Sequence, residues 1–196
     1  TVMPDSYAGV FAPGVEGPLV KGFGFCTSGF LNAENYAKCM DEQITIKDID
    51  LQFISEAPTI AYSFLQSKTD SVQQSFYVTT AASMGIPPLQ SPSEFYADVN
   101  DIFAAYNVHD NFVSYLVNGD QHCFYPYDLY YTADALGADG NGVDSTPMMV
   151  DWVGASIPLQ DGESISTVCD GEVTSSTDGK TYCADTVMPK SFTEAY

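Results

Sequence analysis

Apolar residues recur along this chain in two rhythms. Phe112, Val113, Tyr115, Leu116 and Val117 form a β-rich apolar run with apolar residues on both faces, which suits a strand covered on both sides. Residues 59–65 read the same way. Each run ends in a turn: residues 66–70 close the first at Asp70, and Asn118-Gly119-Asp120 closes the second just before His122. Between and around them the spacing is helical. Thr45 reads as an N-cap, with Ile46, Ile49, Leu51, Phe53 and Ile54 following and the pattern ending before Pro58. A helix runs from Ser71 to about Met84 and is stopped by residues 85–88. Ser91 or Ser93 caps the next, whose inward stripe is Phe95, Val99, Ile102, Phe103 and Tyr106.

The flanks carry weaker signals. Residues 1–9 read as a strand end entering a loop that continues through Pro13, Gly14, Gly17 and Pro18. The Gly-rich stretch 22–29 reads as a structural loop, since it has neither the Gly-Lys-Ser/Thr ending of a phosphate cradle nor a Gly-x-Ser-x-Gly pattern. Residues 33–40 suit a short helix. Thr146 and Pro147 open another, made apolar by Met149, Val150, Trp152, Val153 and Ile157. Strands alternating with helices predict an α/β fold, a parallel sheet flanked by helices, over residues 1–160. Residues 161–196 read as a loop-rich tail stapled by a disulfide.

Composition narrows the function. The formal charge is -20, from 26 acidic residues against 6 basic ones, all lysine. Nucleic acid is thereby excluded as a partner, because nothing neutralises phosphates, and an anionic membrane surface is disfavoured. No apolar run is long enough to span a membrane. Charged residues are only 16% and small polar residues are plentiful, a balance closer to secreted proteins than to cytosolic ones. The five cysteines agree. Cys169 and Cys183 bracket a polar loop suited to a disulfide, Cys26 and Cys39 are a second candidate pair, and Cys123 is left free or bonded outside this chain. No zinc spacing, N-glycosylation sequon or cofactor motif occurs. Asp139, Asn141 and Asp144 sit in a stretch resembling a calcium loop, but without EF-hand spacing; a plain turn is the simpler reading. The absence of an initiating Met suggests a processed or partial polypeptide.

Asp70 and His122 each follow a strand directly. Parallel strands bring both turns to one sheet edge, the edge where open α/β sheets bind ligands. An aspartate accepting from one imidazole nitrogen fixes the tautomer and leaves the other nitrogen as a general base. His122 also reads as a loop histidine with no task. The order Asp then His is that of α/β-hydrolases, but the Ser that precedes them there is missing.

These pieces resemble the C-terminal half of the pectin acetylesterase/Notum family of α/β-hydrolases. Residues 58–77, with Asp70-Ser71-Val72-Gln73, look like that family's acid segment. Residues 112–122, ending Gly119-Asp120-Gln121-His122, look like its histidine segment. Tyr130-Tyr131-Thr132, Asp151-Trp152-Val153 and Asp5-Ser6-Tyr7-Ala8-Gly9 resemble other family pieces. The resemblance implies a secreted carboxylic-ester hydrolase in which Asp70 orients and His122 is the general base. The nucleophile serine would lie upstream of Thr1, on an N-terminal half of the same protein that packs against this one. The substrate would be an ester-bearing polymer or a small ester, with no cofactor and no metal. The rival expectation is a non-catalytic extracellular assembly protein that keeps the hydrolase scaffold.

Overall fold

The computed structural model describes residues 1–87, 91–117, 119–133 and 148–156, together with short strands further on. The elements are α1 (Glu16–Gly22), α2 (Ala33–Met40), α3 (Ile46–Glu56), β1 (Tyr62–Ser67), α4 (Ser71–Ser83), α5 (Pro92–Tyr106), β2 (Phe112–Val117), α6 (Leu129–Thr132) and α7 (Met149–Ser156). Five short strands follow: β3 (Ser164–Ser166), β4 (Val168–Cys169), β5 (Val173–Thr174), β6 (Thr181–Tyr182) and β7 (Pro189–Ser191). They are two or three residues each and lie within the stretch read from the sequence as a loop-rich tail.

The fold is mixed α/β. β1 and β2 pair in parallel from Tyr62–Phe112 to Ser67–Val117, and β4 adds to the far side of β2. On the other side Val2 and Asp5 bridge in parallel to Tyr62 and Leu65. Parallel pairing needs a long crossover, and α4 with α5 supplies it between β1 and β2.

Both central strands are buried along their whole length, as a sheet covered on two faces requires. Alternate residues feed different cores. Tyr62, Phe64, Phe112 and Leu116 pack with Tyr77 and Ala81 of α4, Phe95 and Phe103 of α5, and Ile54 of α3. Leu65, Val113, Tyr115 and Val117 pack on the opposite face with Phe124 and with Met149, Trp152 and Val153 of α7. The rings of Phe64, Phe103, Tyr106 and Phe112 pack at 5.2–6.0 Å, half of the pairs edge to face and half tilted.

The helices begin where their caps dictate. Thr45 with Asp48, and Ser91 with Glu94, form reciprocal capping boxes. Asn32 caps α2 and Asp70 caps α4.

Two expectations shift. β1 starts at Tyr62, later than the apolar run, because the Asn111 amide donates to the carbonyls of Ile54, Ala57 and Ile60 and holds residues 57–60 as a turn. α1 replaces an expected loop. Its Pro18 lies in the first turn, where a missing N–H costs nothing. Gly17 is there for contact: a Cβ would sit 2.0 Å from the Glu42 carbonyl oxygen.

α1, α2 and α3 gather around Val20, Ile44 and Ile49 and the Cys26–Cys39 disulfide. A disulfide fits an oxidising compartment. Among the described residues no helix is long and apolar enough to cross a membrane. The proposed Cys169–Cys183 bridge, the Asp139–Asn141–Asp144 stretch, Asn118, the Thr146–Pro147 helix start and Ile157 lie outside what is described, as does the side chain of Ser93.

Candidate active site

The turns after β1 and β2 are stitched together by a ladder of bonds that continues the sheet. Lys68 N donates to Val117 O at 2.9 Å, Thr69 N to Gly119 O at 3.1 Å and Ser71 N to Asp120 O at 3.1 Å. Hydroxyls reinforce it: Thr69 Oγ1 donates to Gly119 O, Ser71 Oγ to Asp120 O and Ser67 Oγ to Gln121 O. Gly119 is at φ 114, a backbone setting that glycine tolerates best. The ladder sets the register of the two turns, and so delivers Asp70 to His122.

Asp70 is fully buried. As N-cap of α4 it accepts from Val72 N at 3.0 Å and Gln73 N at 2.9 Å through Oδ1. Gln73 Nε2 donates to Oδ2 at 3.0 Å. His122 Nδ1 lies 2.9 Å from Oδ2 and 3.1 Å from Oδ1. A carboxylate held by this many donors has no freedom to turn, so it fixes the imidazole plane and places the Nδ1 proton. His122 is partly exposed, with a side-chain accessibility of 29%, and its Nε2 has no hydrogen-bond partner among the described residues.

The sequence reading named Asp70 and His122, and the fold brings them together. It named Gln73 only as part of a motif, yet Gln73 is the brace of the site. Its buried amide also donates to Gln66 Oε1 and Ser6 O, and its Oε1 accepts from Ala8 N at 3.2 Å. Asp5 was likewise quoted without a role. Its carboxylate accepts from Phe124 N and Tyr125 N and so anchors the segment after His122. That segment is strained: Cys123 has φ 62 and Ser6 has φ 63, settings that cost non-glycine residues about 1–3 kcal/mol each. The two are tied by Cys123 N donating to Ser6 Oγ at 2.8 Å. Backbone bonds to two separate strand ends are what hold His122 in place.

Two nucleophile candidates are disposed of by their surroundings. The Ser6 hydroxyl is buried and engaged with Cys123 N and Asp5. Burial, with Asp5 and Asp70 nearby, pushes the Cys123 thiol up, so it stays protonated and weakly nucleophilic.

His122 opens onto a cleft of about 570 Å³. Tyr7, Phe11, Phe23, Phe25 and Phe76 supply aromatic walls, and the carboxylates of Glu16 and Asp50 also line it. Burial pushes Glu16 up to about 6, and Asp50 also up to about 6. Neither residue was singled out from the sequence, where Glu16 falls in an expected loop and Asp50 passes for an ordinary polar position on a helix.

Scans against protein-family models, curated proteins and solved structures find no match to this chain.

Proposed function

We infer that this chain supplies the acid and the base of a Ser-His-Asp carboxylic-ester hydrolase, deacetylase-like and secreted, of the pectin acetylesterase/Notum kind. The observation that carries the reading is the contact of His122 Nδ1 with the buried, fourfold-bonded Asp70, beside a cleft at the sheet edge. Asp70 holds the Nδ1–H tautomer and stabilises the imidazolium. Nε2 takes the proton of the attacking hydroxyl and returns it to the leaving alcohol. The nucleophile serine and its oxyanion-binding amides belong to an N-terminal segment outside these residues, which seats its hydroxyl against Nε2. The substrate is an ester-bearing polymer or a small ester.

The test is p-nitrophenyl acetate turnover by the native protein, with mass spectrometry of its peptides. Turnover abolished by His122→Ala supports the reading. No turnover, together with no peptide carrying a serine elbow, removes it. One observation favours the non-catalytic reading: no hydroxyl is bonded to His122 among the described residues.

A further inference from the structure

The cleft beside His122 combines two features that seldom share one wall. It is apolar and aromatic, with Phe11, Phe23, Phe25 and Phe76 around it, and Phe23 and Phe76 are 87% and 48% exposed at its rim. It also holds two carboxylates with no basic side chain bonded to either among the described residues. Glu16 spends one oxygen on Ile46 N, at 2.8 Å, and Asp50 spends one on the Tyr106 hydroxyl, at 3.0 Å. The second oxygen of each has no partner among the described residues. A neutral acyl chain would cover these carboxylates and leave them further desolvated, at a cost. A cation with apolar substituents would offset that cost and use the ring faces as well.

We propose that this cleft receives a cationic, apolar group, an alkylated amine or quaternary ammonium, seated between the aromatic walls and the carboxylates of Glu16 and Asp50. Resting on the hydrolase reading, this makes the substrate an ester whose alcohol or acyl part carries that cation. The volume of about 570 Å³ leaves room well beyond an acetyl group, so the cleft selects on that larger part. The groups facing the carboxylates are Tyr7, Tyr62 and Tyr106, all held neutral by burial, and Asp48 and Lys47 beside Glu16. His122 lines the same cleft. As pH falls through about 6, Glu16 and Asp50 take up protons and the attraction for a cation is lost.

Protein-observed NMR titration with phenyltrimethylammonium and its neutral carbon isostere tert-butylbenzene tests this without requiring catalysis. The cation is expected to bind at least about tenfold more tightly at pH 7.5, with most of that preference gone at pH 5. The double variant Glu16→Gln, Asp50→Asn keeps acceptors for Ile46 N and the Tyr106 hydroxyl. With an unchanged circular dichroism spectrum, it is expected to lose the preference at both pH values. Equal binding of the two probes, tighter binding of the hydrocarbon, or binding of neither overturns the proposal. Cation preference with neither ester turnover nor a serine-elbow peptide leaves the cleft assignment standing and removes the hydrolase. Turnover without the preference does the reverse.

Discussion

Asp70 and Asp50 are both withdrawn from solvent, and they sit in opposite surroundings. Asp70 receives two backbone amides, a glutamine amide and an imidazole. Asp50 receives one tyrosine hydroxyl, and burial pushes it up to about 6. The difference lies less in depth than in donors. A buried carboxylate is useful as a fixed charge only when the fold aims enough N–H groups at it. Asp70 is a component of a rigid device, whereas Asp50 is a group waiting for a counter-charge.

The comparison can be broken most sharply at the imidazole. His122→Ala is expected to cut ester turnover by about 10³-fold or more while the melting temperature stays close to that of the parent, because the histidine is part-exposed and caps nothing. Asp70→Ala is expected to lose both properties. It orphans the first-turn amides of α4 and takes one acceptor from the Gln73 amide, so chemical denaturation is expected to show a loss of about 2–4 kcal/mol. Gln73→Leu separates bracing from chemistry. It strips partners from Ala8 N, Gln66 and Asp70 and is expected to cost about 2–3 kcal/mol in the same measurement.

Asp50→Asn is the smallest effect and has the opposite sign. Asp50 binds its proton more tightly in the fold, about 6, than its ordinary 3.8. Between those values the native state holds the extra proton, so stability falls as pH rises through that window and levels off above it. Removing the charge is expected to raise stability by about 1–2 kcal/mol at pH 7 and to flatten the slope below pH 6, as read from urea midpoints across pH.

How much of this was legible depends on how local each signal was. α3 and α5 were readable because a cap and an apolar stripe lie within a few residues of each other: Thr45 with Ile46 to Ile54, and Phe95 to Tyr106 behind Ser91 or Ser93. β2 was readable because a β-rich apolar run, broken only by Ser114, coincides with a strand buried on both faces. The start of β1 was not, since it is set by Asn111, some fifty residues away in the chain and recognisable only once folded. α1 was hidden by Pro18 and Gly17, which usually mark loops but here occupy a first turn and a close backbone contact. The Asp70–His122 pairing was suggested by strand order and turn placement, together with the family resemblance. Its support was not: Asp5 and Gln73 act across the sheet, and no spacing rule along one element reveals a bond between residues 5 and 124 or between 8 and 73. Glu16 and Asp50 were equally hidden, because the cleft that gives them meaning is assembled from α1, α3, α4 and the segment after β2.

The central claim is that His122, oriented by Asp70, activates a serine supplied from outside these residues. Labelling the native protein with a fluorophosphonate and locating the adduct by peptide sequencing tests it most directly. The expected result is a single modified serine on a segment other than residues 1–196, with labelling lost in His122→Ala. No adduct, or one on a serine of this chain that persists without the histidine, would contradict the account.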